Sequence, residues 1–305
     1  MSKIIEVKNL SKSYGDIKAV QDISFDVEDG KLFAFLGENG AGKSTTINML
    51  CTSLQKDSGS IVINGYDIDK DIEGVKRSIG IVYQNTVLDK LLTVEENLQY
   101  RGALYGLTKS QINDKIEELD KLLDVKPLLN RKYGTMSGGQ KRKIDIVRGL
   151  LSSPKILFLD EPTTGLDPKS RSQVWDTIRY LIKKTHLTVF LTTHYMEETE
   201  DADMVVIIDN GKIVASGSPN TLKHEYSKSV MRLKTTESKK INKILTQEGK
   251  QYIYDKGCYL IGMSGSDEAK TFILNHSDIM TDWEFTGGNM DMVFLSITGR
   301  KLKGE

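Results

Sequence analysis

The sequence predicts an α/β fold: a mixed β-sheet core with an antiparallel β subdomain, an inserted helical subdomain and a small α+β appendage. Three observations predict it. The apolar run Leu32–Leu36 passes through Gly37 into a helical run over 43–54, giving strand, loop and helix in succession. A second continuous apolar run, 156–159, ends in Asp160-Glu161-Pro162. Between the two, 93–150 follows helical periodicity with no convincing strand pattern, so helices interrupt the sheet order.

Along the chain, Ile5 and Val7 alternate with polar neighbours, as do Ile23, Phe25 and Val27, which is the pattern of half-buried strands. Tyr14-Gly15 falls in the loop between them, and Asp29-Gly30 turns the second strand into the run at 32–36. Gly37, Glu38, Asn39, Gly40, Ala41, Gly42, Lys43, Ser44 and Thr45 then fit G-x-x-x-x-G-K-[ST]. Glycines at these positions let successive backbone N–H groups turn inward as an anion nest, and the following helix adds its partial positive charge. Lys43 can reach the β- and γ-phosphates of a nucleotide, and the Ser44 hydroxyl can ligate Mg²⁺. A Gly-rich turn matching by accident would lack the flanking strand and helix. Both are here, so the chain binds a nucleotide.

Beyond the loop helix, 59–63 with Asn64-Gly65 reads as a strand and a tight turn, and 79–83 as a short strand with Gln84 at its C-terminal end. That end is where ligands bind in open α/β sheets. Thr93 with Glu96 and Thr108 with Gln111 have capping-box spacing. Ile112, Ile116, Leu119, Leu122 and Leu123 recur at helical intervals, and Ser137-Gly138-Gly139-Gln140 opens the last helix of the block. The run at 156–159 suits a Walker B strand, which brings Asp160 beside the phosphate loop where it can hold Mg²⁺ through water. Apolar residues at 188–193 end in His194, and 205–209, Asn210-Gly211 and 212–216 read as a hairpin. From 227 onward, strand-like runs at 231–233, 252–254 and 259–263 mix with a helical stretch at 269–274, and no nucleotide or metal motif is found.

Composition narrows the class. Lys plus Arg and Asp plus Glu each total 42, and a formal charge of zero gives no support to nucleic-acid binding driven by overall charge. Cys51 and Cys258 are too far apart for a metal-ligand spacing and form no disulfide framework, so a reducing, cytoplasmic setting is expected. No apolar run approaches the roughly 18 residues of a membrane span, and the N-terminus lacks a signal peptide's long apolar core. Any work at a membrane is expected to go through a partner.

Taken in order, Tyr14, Gly37 to Ser44, Gln84, Ser137-Gly138-Gly139-Gln140, Asp160-Glu161, Gly165-Leu166-Asp167 and His194 resemble the ATP-binding subunit of an ABC transporter over about residues 4–220. Ser-Gly-Gly-Gln, closely followed by the Walker B strand, is the most discriminating element. Met136 stands where the family usually has Leu, a conservative apolar change. Lys-Arg-Lys-Ile-Asp-Ile at 141–146, Thr-Thr-His-Tyr-Met-Glu-Glu at 192–198 and Asp-Met-Val-Phe-Leu-Ser-Ile-Thr-Gly-Arg at 291–300 resemble the daunorubicin-resistance branch. In that branch the ATPase drives a separate permease that exports drugs, lipids or polysaccharides.

The resemblance implies a P-loop NTPase cassette over 1–226, with its helical subdomain at about 86–150, and an accessory domain over 227–305. It implies that Tyr14 stacks on adenine with Val20 beside it, and that residues 37–45 cradle the phosphates. Ser44 would bind Mg²⁺ directly, Gln84 would contact it or the attacking water, and Asp160 would hold it through water. Glu161 would be the catalytic base, His194 would bridge the γ-phosphate and the attacking water, and Lys43 and Gln84 would belong to the catalytic set with them. Ser137, Gly138, Gly139 and Gln140 would cap the γ-phosphate held by a second protomer in a head-to-tail dimer, with Asp167 communicating across that interface. The expected cofactors are ATP and Mg²⁺. The expected partners are a membrane permease and a second copy, with the subunit peripheral at the inner face of the membrane. The competing class, a soluble ABC ATPase acting on DNA or ribosomes, predicts tandem cassettes or a long coiled coil, and neither pattern is present.

Overall fold

The computed structural model describes residues 2–227 and 229–299, and the chain divides into two units, Met1–Ser216 and Gly217–Glu305. In the first, the expected alternation builds the antiparallel pair β1 (Lys3–Tyr14) and β2 (Ile17–Glu28), with Tyr14 as the last residue of β1 rather than in the loop. β3 (Leu32–Leu36) is buried at every position, as a strand covered on both faces must be. The helix after the phosphate loop, α1 (Lys43–Leu50), ends at Leu50 and not at 54. Thr52 takes a left-handed φ of 62°, and the N–H groups of Ser53 and Leu54 both donate to the Asn48 carbonyl, which closes the helix early.

β4 (Ser58–Ile63) and β5 (Tyr66–Asp67) complete a four-stranded sheet of order β2-β1-β4-β5. α2 (Ile72–Ser78) leads to β6 (Ile79–Val82), and then come the inserted helices α3 (Val94–Leu104), α4 (Lys109–Leu123) and α5 (Gly138–Leu150). Both expected capping boxes form, each with its side chain and backbone bonds reciprocated. Ile112, Ile116, Leu119 and Leu123 are buried, while Leu122 is half-buried at the edge of the stripe.

β7 (Ile156–Asp160), α6 (Pro168–Thr185), β8 (Thr188–Thr193), β9 (Met204–Asp209) and β10 (Lys212–Gly217) complete a second sheet of order β10-β9-β3-β8-β7-β6. The β3–β8, β3–β9, β7–β8 and β6–β7 pairs are parallel, so their C-terminal ends share one edge. Phe25, from the antiparallel sheet, packs its ring 5.5 Å from Phe33 and Phe35, and Phe158 lies 5.2 Å from Phe190. These rings join the two sheets into one core and hold the phosphate-loop strand against the Walker B strand's neighbour.

The second unit begins at α7 (Pro219–Tyr226) and runs through β11 (Ser229–Lys234), α8 (Ser238–Gln247), β12 (Tyr252–Asp255), β13 (Cys258–Met263), α9 (Ser266–His276), β14 (Asp282–Thr286) and α10 (Met290–Thr298). Its antiparallel sheet has the order β12-β13-β11-β14, so β11 to β14 with their two helices form a β-α-β-β-α-β ferredoxin-like unit. The division falls between Ser216 and Gly217, earlier than the expected 226/227, because α7 packs against α10 and so joins the second unit. The stretch resembling the daunorubicin-resistance branch at 291–300 lies largely in α10, and its Arg300 falls outside the described residues. Among the described residues, no helix is long and apolar enough to cross a membrane.

Candidate active site

The shared edge of the parallel strands gathers the expected residues. Gly37 follows β3, Gln84 follows β6, Asp160 ends β7 with Glu161 next to it, and His194 follows β8. The phosphate loop is wedged between backbone segments that leave no room for side chains. A Cβ on Gly42, at φ 109°, would meet the Ala19 carbonyl oxygen at 2.5 Å, and one on Gly37 would meet the Ile208 carbonyl oxygen at 2.5 Å. The loop is further tied down by bonds from Gly37 N to Thr193 O (3.2 Å) and from Gly211 N to Ala41 O (3.0 Å). The nest is therefore fixed by β2, β8 and the β9–β10 turn.

Lys43 opens α1 and is buried, with Nζ donating to the carbonyl oxygens of Gly37 (2.7 Å) and Glu38 (3.0 Å). Burial pushes the Lys43 pKa down, and the Glu161 carboxylate, 3.4 Å away, only partly offsets it. Ser44 is exposed beside it. Asn39 and Gly40 form the exposed crown of the loop, and Glu38 and Thr45 are half-buried at its sides.

Glu161 is where the site converges. Gln84 Nε2 (3.2 Å) and Thr164 Oγ1 (3.1 Å) both donate to its Oε2. His194 Nδ1 lies 3.3 Å from Oε1, buried and not aligned for a hydrogen bond. Burial alone would raise the Glu161 pKa, but Lys43, His194 and Thr164 together outweigh it, and the net shift is downward. The carboxylate is thus ionised at neutral pH. Its neighbour moves the other way. Burial pushes the Asp160 pKa up and the adjacent Glu161 charge adds to it, although Thr192 Oγ1 donates to Asp160 Oδ1 at 2.6 Å.

Ser137, Gly138, Gly139 and Gln140 are held elsewhere. Ser137 caps α5, with Gln140 N donating to Ser137 Oγ (3.3 Å) and Ser137 N to Gln140 Oε1 (3.2 Å), so the motif is itself a capping box. It lines a cleft with Asp167 and Ser170, apart from the Glu161 cluster. Asp167 caps α6 by accepting from Ser170 N (3.0 Å) and Ser170 Oγ (2.6 Å). Tyr14 is 49% exposed at the end of β1, open to stacking, whereas Val20 is 1% exposed because β2 is irregular at Asp22 (φ 54°), where the pairing register with β1 shifts and Val20 is turned into the core together with Ile23. Val20 therefore offers a base almost no side-chain surface.

Sequence reasoning missed Thr192, Thr164 and Arg142. Arg142 is buried, and its guanidinium donates to the carbonyl oxygens of Tyr83, Asp160, Glu161 and Pro162. Its setting, Lys141-Arg142-Lys143, reads as a solvated charged face. Only the helical phase, with Ile144, Asp145 and Ile146 also buried, could have marked it.

Residues 20–164 match the family model described as ABC transporter. The doxorubicin resistance ATP-binding protein DrrA of Mycobacterium tuberculosis is 39% identical over 248 residues, covering 80% of this chain and 75% of that protein. The chain belongs to the ATP-binding subunits of ABC transporters. The linearmycin resistance ATP-binding protein LnrL of Bacillus subtilis is 40% identical over 220 residues, covering 72% of this chain and 70% of that one. Among solved structures, cbiO1 of Clostridium perfringens, part of the ABC transporter complex cbiONQ, is similar with a TM-score of 0.68. It is 27% identical, and the match covers 82% of this chain and 98% of cbiO1. The chain is thus an ATPase of the transporter class, which binds and hydrolyses ATP to power transport. The relatives do not support the soluble, nucleic-acid-directed alternative.

Proposed function

We propose that this chain drives export of an amphipathic cargo, a drug or a lipid, through a separate membrane permease, by closing head to tail on ATP with a second copy of itself. The observation that carries this reading is the separation, on one chain, of two helix N-termini of the kind that suits an anion. The phosphate loop converges with Glu161, while the Ser137 helix terminus opens into a different cleft with Asp167. A helix N-terminus suited to phosphate but set apart from the chain's own nucleotide site suits a nucleotide held by a partner. The named relatives are resistance proteins, which supports export and a permease that holds the subunit at the inner face of the membrane.

Within each site, Lys43 would exchange its carbonyl partners for the β- and γ-phosphate oxygens, and Tyr14 would stack on adenine. Glu161, ionised and held by Gln84 and Thr164, would orient the attacking water and take up its proton. His194 would stabilise charge developing on the γ-phosphate. The donors for Mg²⁺ fit a hard ion: the exposed Ser44 hydroxyl, the Gln84 amide and the single Asp160 carboxylate are all oxygen ligands, of the kind that supplement phosphate oxygens. Bound there, Mg²⁺ would neutralise charge on the β- and γ-phosphates.

Light scattering of Glu161→Gln, with and without Mg-ATP, tests the reading alongside ATPase activity. The expected result is an inactive variant that becomes an ATP-dependent dimer, because the binding contacts survive loss of the base. A variant that binds ATP and stays monomeric rules out the self-dimer. One that hydrolyses ATP like wild type removes Glu161 from its role.

A further inference from the structure

The backbone around Glu161 is held in a conformation that needs outside support. Glu161 takes a left-handed φ of 43°, which L-residues adopt only under restraint. On one side, its N–H donates to Thr192 O and Thr192 Oγ1, both at 3.1 Å. On the other side stands Arg142 of α5. Its Nε donates to Pro162 O (2.6 Å), Nη1 to Tyr83 O (2.5 Å), and Nη2 to Asp160 O and Glu161 O (3.1 Å each).

Each accepting carbonyl borders the chemistry. Tyr83 immediately precedes Gln84, and Asp160 to Pro162 bracket Glu161. A buried guanidinium is costly to desolvate, and an apolar side chain would fill the same space more cheaply. What an apolar residue cannot do is tie two chain segments together through four peptide oxygens. The planar fork of arginine presents donors in several directions at once, and an ammonium presents them from a single point.

We propose that Arg142 is a positioning residue for ATP hydrolysis. It locks the Tyr83 peptide and the 160–162 segment in register, so that the Gln84 amide and the Glu161 carboxylate meet at the attacking water. The inference rests on the reading of Glu161 as the base. Because Arg142 lies on the helix that Ser137 caps, it also links that helix terminus to the base of the same chain.

The test measures steady-state ATPase activity of full-length Arg142→Gln, Arg142→Lys and Glu161→Gln against ATP concentration. Turnover is normalised to the stoichiometry of bound mant-ATP. Arg142→Gln is expected to lose about 100-fold in kcat, the cost of an ångström-scale misplacement. Arg142→Lys is expected to lose about tenfold. KM and mant-ATP affinity should stay within about threefold of wild type. A kcat per bound nucleotide unchanged in Arg142→Lys and Arg142→Gln overturns the proposal. So does a loss confined to binding stoichiometry or affinity, which would mark Arg142 as a folding residue only. Wild-type turnover in Glu161→Gln would instead overturn the assignment of the base. Should Arg142→Gln fail to fold, Arg142→Lys, with its charge and length retained, decides the matter.

Discussion

Asp160 and Glu161 are adjacent carboxyls that their surroundings push in opposite directions, up for Asp160 and down for Glu161. Burial dominates at Asp160, where the Lys43 and Arg142 charges only partly offset it, whereas Lys43 Nζ comes within 3.4 Å of the Glu161 carboxylate. A carboxyl whose folded pKa lies above its ordinary value of about 3.9 binds its proton more tightly in the folded state, so it subtracts stability as pH rises through that window. Asp160→Asn removes the titration while keeping an acceptor for Thr192 Oγ1. The variant should be more stable than wild type at pH 7, on the order of 1 kcal/mol. That advantage should shrink as pH falls towards about 4. Turnover should fall by about 10- to 100-fold, as when an outer ligand of a metal site is lost. Thermal melts of both proteins at pH 4.5 and 7 read the first effect. A pH-independent difference would mean that Asp160 is not held against its charge.

At the scale of elements, the N-terminus of α5 serves two ends that one substitution can separate. Ser137→Ala removes the oxygen that accepts from Gln140 N, costing about 1 kcal/mol of stability as a lost cap. In the Glu161→Gln background it should also weaken the ATP-dependent dimer while leaving ATP binding by the monomer intact. Light scattering beside mant-ATP titration distinguishes the two, and an unimpaired dimer would confine Ser137 to capping. This helix also shows where the sequence was legible. The phosphate loop, the Walker B strand and the capping boxes are local patterns, in which spacing alone encodes the geometry, and each formed where expected. Arg142 was hidden because its partners are carbonyls of residues 83 and 160–162, contributed by the C-terminal ends of β6 and β7 and the segments just beyond them. Val20 is out of phase with the readable alternation of Ile23, Phe25 and Val27, and its place in the core depends on the register shift at Asp22, which spacing does not reveal. α8 and α10 escaped because short amphipathic helices in a small unit carry few periodic positions, Ile241 and Leu245 in α8 for example.

At the scale of the whole chain, the two units carry separate apolar clusters. One is built around Phe33, Phe158 and Phe190, the other around Met231, Leu233, Ile241 and Ile261. Every residue assigned to the nucleotide lies in Met1–Ser216, and the ferredoxin-like unit contributes none of them. Two cores predict that unfolding is not a single two-state event. Calorimetry of Glu161→Gln, which holds ATP without consuming it, should resolve two transitions. With Mg-ATP at about 100 times its Kd, the ligand stabilises only the unit that binds it, by about 2.7 kcal/mol. For a domain of this size that raises the corresponding Tm by roughly 5–10 °C. The other transition should stay in place, since a ligand moves only the equilibria of states that bind it differently. If both transitions rise together, nucleotide binding at the phosphate loop is coupled energetically to the ferredoxin-like unit, and that unit takes part in the ATP cycle. If only one rises, the accessory unit is thermodynamically independent of the nucleotide, and any regulation it exerts must act through a partner.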